Sequence, residues 1–316
     1  MPVFKPSRSD AKFKPISITS SFLKIMEKLL LCMLELSERV QEIGNNLLGN
    51  TGDVDFEDQT ASVSMINNWV KKKSGGLIDQ YFKTQHELPS DIIMAVINVV
   101  TFKDVWKKKF DGAYVFTDDF WVNNLTVVKT DYMRITETVG YAAFWKFGFR
   151  MISKDFKNSR FKFVIALPIK KFNLNRALNL LKGIRRLPYF VRGLQQKTVY
   201  IQMPKFKISN TLDLIQTMKK MGVSDMFVGW KANLSGIANV KNLKVDYLRQ
   251  STVLKVDEKG VEATAATSLY SLGRSFYIKP ANITFTVDQP FVCFIYDNKL
   301  RMPLFAALVK KPGVEE

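Results

Sequence analysis

The stretch from residue 251 to residue 275 limits the folds open to this chain more than any other part of its sequence. It begins as a predicted β-strand, because Val253, Leu254 and Val256 are apolar residues set among polar ones. A polar turn at 257–260 ends this strand, and small side chains without a bulky apolar anchor follow at 263–268. Such a segment stays extended as an exposed loop, and it also fits between two strands without steric hindrance.

An arginine stands at the far end of the same stretch. Gly273 precedes Arg274, and Ser275 follows it. An arginine beside a flexible glycine on an exposed loop is the kind of site that a trypsin-like protease cleaves. The alternative interpretation is that residues 261–268 form an ordinary polar surface loop.

The order of residues 257–263, Asp-Glu-Lys-Gly-Val-Glu-Ala, followed by small residues, resembles the hinge and reactive-centre loop of the serpin family. Counting on from Gly260 at the spacing of that family lands on Arg274–Ser275 as the scissile bond. The resemblance implies a hinge that contains Glu258, Gly260, Val261, Glu262, Ala263, Thr264, Ala265, Ala266 and Thr267.

The resemblance also implies a mechanism, in which a protease attacks the loop as a substrate and forms an acyl-enzyme. The cleaved loop then inserts into a sheet as a new strand, carries the enzyme with it and distorts it. Insertion is favourable because it pairs backbone groups and releases strain stored in the uncut loop. The expected function is therefore suicide inhibition of trypsin-like serine proteases. A non-inhibitory binder, carrier or chaperone-like protein of the same fold is the alternative.

The likeness to serpins extends over about residues 54–312, and it implies roles for three further residues. Asn98 matches a family position in the shutter beneath the insertion gap, and Gln250 stands where the family has a histidine. Trp106 matches the packing site at the upper end of the neighbouring strand, the breach. Each of these side chains is also compatible with a plain core role.

The expected fold is α+β and serpin-like, with a large mixed β-sheet, further sheets, surrounding helices and an exposed reactive-centre loop. The family normally carries several helices, a strand and an Asn-Ile-x-x-Ser-Pro-type motif upstream of the matching part. Residues 1–53 are too few for all of these elements, so the fold is expected to be N-terminally incomplete. We therefore divide the chain into an unassigned tail and helix at 1–53 and a serpin-like domain at 54–316.

Hydrophobic periodicity predicts the main elements. Apolar residues at helical spacing predict a helix over 21–43, and a turn-rich linker follows at 45–53. A second helix is predicted from Gln59 to Phe82, with a break at 74–76, where the sequence is Ser-Gly-Gly. A long apolar run predicts one buried strand from Met94 to Phe110. Further strands are predicted at 161–168, at 199–208 with a kink at Pro204, and as a hairpin at 291–309.

Composition points to polyanions as partners, because the net charge is +18 and the pI is about 9.7. A glycosaminoglycan, nucleic acid or an anionic membrane surface would each be attracted. The lysines are dispersed along the chain, however, and no nucleic-acid module is recognisable.

Metal and enzyme chemistry find little support in the sequence. His86 is the single histidine, and no Cys/His spacing suits zinc. His86 has no nucleophile-elbow motif to serve and is expected on the surface. Cys32 and Cys293 lie in apolar surroundings and are expected to be buried free thiols, with a disulfide between them as the alternative. We expect no cofactor, no metal and no catalytic activity.

The cellular location is less constrained than the fold. No apolar run reaches transmembrane length, and no signal peptide is evident, since Lys28 and Glu35 bracket the apolar run at 29–34 closely. The serpin resemblance nevertheless implies an extracellular monomer, with an intracellular location as the alternative. Glycosylation sequons begin at Asn124, Asn233 and Asn282 and matter only in the secretory pathway.

Overall fold

The computed structural model describes residues 29–33, 50–53, 55–89, 91–112, 115–181, 186–235, 237, 241–261 and 281–313. The predicted reactive bond Arg274–Ser275 and the hinge residues from Glu262 to Thr267 lie outside these ranges. The helices are α1 (Gln59–Lys73), α2 (Leu174–Leu181), α3 (Arg186–Arg192) and α4 (Ile215–Lys220). The strands are β1 (Leu29–Met33), β2 (Asn50–Asp53), β3 (Met94–Thr101), β4 (Asp104–Val105), β5 (Phe116–Trp121), β6 (Val127–Phe144), β7 (Phe149–Asp155), β8 (Phe161–Pro168), β9 (Gln195–Pro204), β10 (Phe206–Asp213), β11 (Tyr247–Val256), β12 (Gly260–Val261), β13 (Ile283–Thr286), β14 (Phe291–Asp297) and β15 (Met302–Val309).

The first sheet is mixed and, within the described residues, runs in the order β2-β1-β3-β11-β12-β4, with β10 paired to β11. Its centre is the parallel pair β3 and β11, which are hydrogen-bonded directly from Ala95–Tyr247 to Thr101–Val253. Above that point the two strands separate, and the short β12 fits between the end of β11 and β4. The sheet is therefore closed below and holds a short extra strand at its upper end.

The second sheet is predominantly antiparallel and runs β13-β9-β6-β7-β8-β14-β15, with β5 paired to β6. Its strands β14 and β15 form the hairpin expected at 291–309, and β8 matches the strand expected at 161–168. Strands β9 and β10 meet at Pro204, where the sequence predicts a kink. Proline suits this position because it cannot donate to a continuous ladder.

The two faces of the first sheet differ in what covers them. Helix α1 packs its buried Ile66 and Val70 in one cluster with Ala95, Ile97 and Tyr247, and we call this side the front face. The opposite, back face contributes residues such as Leu254, Val256 and Val261 to the largest core cluster, which it shares with the second sheet. Burial of these two clusters supplies the main driving force for the fold.

Helix α1 begins at Gln59 as predicted and ends at the predicted break, so the expected continuation to Phe82 is not helical. The side chain of Asp58 caps it by accepting a hydrogen bond of 2.9 Å from the backbone N–H of Ala61. It ends at Lys73, and Gly76 in the following turn has a φ of 85°, a left-handed conformation that glycine adopts without strain.

The N-terminal segment differs from the sequence expectation. A helix is predicted over 21–43, but Leu29–Met33 forms strand β1, which is paired to β3 along its whole length. A run of five apolar residues suits a buried strand as well as a helix, and the free edge of β3 supplies backbone partners that periodicity does not reveal. Asn50–Asp53, expected in a linker, likewise pairs with β1 as β2.

The strand expected from Met94 to Phe110 is also interrupted. It is divided into β3 and the two-residue β4, and residues 102 and 103 separate them. The lower part pairs with β11, whereas the upper part, where charged residues at 103, 104 and 107–109 stand among the apolar ones, pairs with β12. This change of partner forms the site described next.

Candidate functional site

The described part of the predicted hinge is a tight turn inserted at the top of the first sheet. The Asp257 carboxylate accepts hydrogen bonds from the backbone N–H groups of Lys259 (2.9 Å) and Gly260 (3.2 Å), which closes the turn. The backbone N–H of Asp257 in turn donates to the Gly260 carbonyl at 3.0 Å. The chain thus reverses direction at once, so that Val261 pairs with Val256 of the strand it has just left.

Trp106 and the residues after it hold this turn in place. The backbone N–H of Trp106 donates to the Lys259 carbonyl at 3.0 Å, and its indole Nε1–H donates to the Asp257 carbonyl at 2.8 Å. The backbone N–H of Phe110 donates to the Glu258 carbonyl at 3.0 Å. Consecutive carbonyls of the turn are therefore satisfied by one neighbouring segment, as buried backbone groups require.

Trp106 itself is fixed by aromatic packing. It is 2% exposed and stacks on Phe156 with a centroid distance of 4.8 Å and an interplanar angle of 7°. Phe110 and Phe163 contact it edge-on at 6.1 and 5.5 Å. A ring held on several sides is a rigid anchor for the hinge turn.

Gly260 and Val261 enter the sheet in a space that fits only small or apolar groups. A Cβ on Gly260 would lie 2.2 Å from the Asp104 carbonyl oxygen and 2.6 Å from the Val105 Cα, so close approach of two backbones requires glycine here. Val261 is fully buried in the large core cluster. The start of the hinge is thereby packed as part of the sheet.

An ion pair ties the same turn to β10. The Lys205 ammonium lies 2.9 Å from a carboxylate oxygen of Glu258 without the directional geometry of a hydrogen bond. Partial burial alone would raise the pKa of Glu258, but Lys205, the Glu258 backbone N–H and the charge of Lys259 outweigh it. The pKa therefore lies below its ordinary value.

A buried lysine beneath Trp106 was not predicted from the sequence. Lys154 is 1% exposed, forms an ion pair with Glu137 on β6, and donates to the Lys108 carbonyl at 2.8 Å. Its ammonium lies 4.9 Å from the Phe110 ring centroid and 5.6 Å from that of Trp106. Burial lowers the pKa of Lys154, and Glu137 opposes this effect. Nothing in the local pattern marks Lys154 as buried, because its partner lies on another strand.

The two predicted shutter residues are brought together lower in the sheet. Asn98 on β3 and Gln250 on β11 are register partners of the parallel pair. Asn98 is 1% exposed, and its Nδ2 has no hydrogen-bond partner among the described residues. Gln250 is half-buried and donates from Nε2 to Thr252 Oγ1 at 3.3 Å. The structure thus places polar side chains on both sides of the seam between β3 and β11.

The remaining predicted positions lie apart from this site. Asn124, Asn233 and Asn282 are all exposed, as is His86. Cys293 is a buried free thiol whose pKa is raised by burial, and the side chain of Cys32 lies outside the described residues.

Within the described ranges no cluster of His, Cys, Asp and Glu side chains has the arrangement of a metal site. None of the helices in the described part of the chain combines the length and hydropathy that crossing a bilayer requires.

Comparison with known proteins identifies the family of this chain. The family model of the serpins (serine protease inhibitors) matches residues 36–312. The chain belongs to the serpin family. Serpins as a family target serine proteases and are not generally enzymes. Among curated relatives, mouse alpha-2-antiplasmin is 29% identical over 261 residues, which cover 81% of this chain. This chain spans 49% of the length of alpha-2-antiplasmin.

Solved serpin structures share the α+β fold, which confirms the predicted fold class. A serpin from the trematode Schistosoma haematobium is 36% identical with a TM-score of 0.79, covering 90% of this chain and 73% of that one. Human thyroxine-binding globulin is 22% identical with a TM-score of 0.76, covering 90% of this serpin and 74% of the globulin. At that identity the second likeness shows the fold alone.

Proposed function

We propose that this serpin inhibits trypsin-like serine proteases as a suicide pseudo-substrate that is cleaved at Arg274–Ser275. One observation carries the proposal: Gly260–Val261 pairs as a strand between β11 and β4, directly above the closed pair of β3 and β11. The residues that follow Val261 in sequence therefore start at the upper end of the seam into which a cleaved loop would insert. Small side chains from Ala263 to Thr267 suit that insertion.

In this proposal the protease serine attacks the carbonyl carbon of Arg274 and forms an ester with it, while the amine of Ser275 leaves with a proton. Arg274 is recognised because an aspartate at the base of a trypsin-type pocket pairs with its guanidinium. The freed segment then adds hydrogen bonds to both β3 and β11, and the acyl-enzyme is carried away from the site of attack. Insertion has to outpace hydrolysis of the ester.

The direct test is incubation of the full chain with trypsin, followed by denaturing electrophoresis. We expect a complex that survives SDS, and Arg274→Glu should abolish it because the new carboxylate repels the pocket aspartate. Arg192→Glu, which changes an exposed arginine on α3, is the matched control and should keep the complex. Clean cleavage without any complex would contradict the proposal.

A second variant tests insertion separately from recognition. Val261 is fully buried, so Val261→Thr places a hydroxyl where the hinge enters the core. The variant should still be cleaved after Arg274, but the fraction of protease trapped should fall because insertion slows relative to hydrolysis. A circular dichroism melt checks that the variant folds. An unchanged trapped fraction would show that Val261 does not limit insertion.

The second candidate is a non-inhibitory serpin that acts as a binder, carrier or chaperone-like protein. The net charge of +18 favours it, because a polyanion is then a natural partner. Thermal stability before and after cleavage of the loop distinguishes the two candidates. An inhibitor should gain stability when the cleaved loop inserts, whereas an unchanged melting temperature favours the carrier.

We further propose that the protein acts outside the cell as a monomer that carries N-linked glycans. Asn124, Asn233 and Asn282 support this, because each sequon asparagine is exposed and accessible to modification. Expression in a secreting eukaryotic cell should give a mass that decreases on enzymatic removal of N-glycans. An unmodified mass would contradict this part of the proposal.

A further inference from the structure

Two large aromatic side chains are exposed near each other on the side of the second sheet that α2 and α3 cover. Trp145, directly after β6, is 74% exposed, and Tyr189 on α3 is 62% exposed. Phe144 and Phe147, close to Trp145 in the chain, contact the buried Phe190 ring with centroid distances of 4.9 and 5.1 Å. Tyr189 contacts the same ring at 5.4 Å. We call the two exposed aromatic residues and the exposed basic residues around them the aromatic-basic patch: Trp145, Lys146, Arg176, Arg186, Tyr189 and Arg192.

The short 3₁₀ turn that carries Trp145 is fixed by backbone hydrogen bonds. The N–H of Gly148 donates to the Phe144 carbonyl at 2.9 Å and to the Trp145 carbonyl at 3.2 Å. Gly148 has a φ of 77°, a left-handed conformation that suits glycine at the end of such a turn. Arg176 on α2 donates from Nη2 to the Lys146 carbonyl at 2.8 Å. Trp145 is therefore held outward by a tight turn that is bonded to a helix.

Helix α3 supplies the other half of the patch. Arg186, Tyr189 and Arg192 follow each other at three-residue spacing, which places them on one side of the helix. Leu187 and Phe190 lie on the opposite side and are buried in the cluster with the second sheet. The exposed side of α3 thus presents one aromatic ring between two guanidinium groups.

The positive charge of the patch is not neutralised by carboxylates from its own part of the chain. Between residues 139 and 212 every charged side chain is a lysine or an arginine, apart from Asp155. Asp155 pairs with Lys162 at 3.7 Å. Asp297, which ends the neighbouring β14, pairs with Arg160 at 2.6 Å. Both carboxylates are therefore used by lysine or arginine side chains outside the patch.

We infer that the aromatic-basic patch docks on the surface of an anionic lipid bilayer. Trp and Tyr rings are apolar over most of their surface and carry one polar group, so they are stable at the level of the lipid headgroups. Guanidinium groups pair with lipid phosphates through two parallel hydrogen bonds. Binding of this kind gains from burial of the aromatic area and from attraction to the anionic lipids, and the net charge of +18 adds to the attraction.

The shape of the patch favours a bilayer over a single-stranded nucleic acid. Proteins that bind single strands stack successive bases along a positively charged groove. Trp145 instead projects from a turn, and Tyr189 projects from the convex surface of a helix, so both rings suit entry into a soft, flat surface. A sulfated polysaccharide would pair with the basic side chains but would gain little from the two rings. The aromatic residues therefore decide between these ligands.

The test is cosedimentation of the full chain with vesicles of phosphatidylcholine alone and of phosphatidylcholine with phosphatidylserine. The wild type should bind the phosphatidylserine vesicles more strongly, and added salt should weaken the binding. Trp145→Ala/Tyr189→Ala keeps the net charge but should lower the partition coefficient by about tenfold, because it removes the aromatic area that enters the bilayer. Trp230→Ala is the matched control, since Trp230 is 77% exposed and lies outside the patch, and it should bind like the wild type.

Fluorescence locates the contact directly. Lipids with brominated acyl chains quench a tryptophan that enters the bilayer surface, so the wild type should be quenched on binding. Trp145→Phe should lose most of this quenching, and Trp230→Phe should keep it. Quenching that survives in Trp145→Phe and is lost in Trp230→Phe would place the contact elsewhere and overturn the inference.

Two further outcomes would overturn it. One is a wild type that does not bind the phosphatidylserine vesicles, or that binds them no better than Trp145→Ala/Tyr189→Ala does. The other is oligo-dT bound more tightly than the vesicles and lost in the same double variant, which would assign the patch to single-stranded nucleic acid. Vesicle binding does not depend on inhibition. A chain that binds vesicles through the patch but forms no complex with trypsin would keep this inference and contradict only the proposed inhibitory function.

Discussion

Asn98 on β3 and Gln250 on β11 face each other across the seam of the parallel pair, and the Asn98 Nδ2 has no hydrogen-bond partner among the described residues. A buried donor without a partner costs about 1–3 kcal/mol of stability. The seam is therefore held by backbone hydrogen bonds with an unsatisfied polar group beside them. This arrangement suits the opening of the sheet for a new strand that the proposed mechanism requires.

The first prediction concerns this donor. Asn98→Leu removes the unsatisfied amide at nearly constant volume and should raise the free energy of unfolding by about 1 kcal/mol. Asn98→Asp places a charge at the same position and should lower it by several kcal/mol. Urea denaturation measures both. A loss of stability in the leucine variant would contradict this prediction.

The second prediction concerns the ion pair between Glu258 and Lys205. Glu258→Gln should lower the free energy of unfolding at pH 7 by about 0.5–1 kcal/mol, the range for a partly exposed pair. Because the pKa of Glu258 is lowered in the folded state, its contribution is fully present above its ordinary value of 4.5 and is lost as the pH falls through the lowered value. The difference between wild type and variant should therefore disappear in acid.

The measurement for this pair is urea denaturation of both proteins between pH 3 and about pH 7. Lys205→Met should remove the same pH dependence, because it deletes the other partner. A difference between wild type and Glu258→Gln that stays constant down to pH 3 would contradict the assigned pKa direction.

The third prediction concerns the buried pair of Lys154 and Glu137. Lys154→Met leaves the Glu137 carboxylate and the Lys108 carbonyl without their partner, and removal of one member of a buried pair costs about 3–5 kcal/mol. Adding Glu137→Leu should restore most of this loss, since an apolar pair replaces the ionic one. Denaturation of the two single variants and the double variant completes the cycle.

Nearly additive losses in that cycle would show that the two side chains act independently. The double variant should also show altered tryptophan fluorescence, because it lacks the Lys154 ammonium that lies over the Trp106 ring. Other tryptophans are present, so Trp106→Phe serves as the reference for this signal.

The predictable parts of this molecule are those with local signals. The α+β serpin-like fold is what the resemblance carried by the hinge sequence at 257–263 implies, and the comparisons confirm it. The sequence predicts a helix where strand β1 lies, because a short apolar run suits either element. The pairing with β3 decides between the two, and this pairing is nonlocal. Lys154 is hidden for the same reason, since its ion-pair partner comes from another strand. Cleavage at Arg274 stays a prediction.

The last prediction concerns the close approach at Gly260. Gly260→Ala would place a methyl group 2.2 Å from the Asp104 carbonyl oxygen, which belongs to backbone and moves only if β4 moves. The cost should be at least about 1–3 kcal/mol, the usual range for overpacking. Gly112→Ala is the matched control, because an added Cβ there meets nothing within 4 Å, and its effect should be close to zero. Thermal and urea denaturation compare the two variants. Equal stability of Gly260→Ala and Gly112→Ala would mean that β12 leaves the sheet easily, and the paired hinge start on which the proposed inhibition depends would then be a minor conformation.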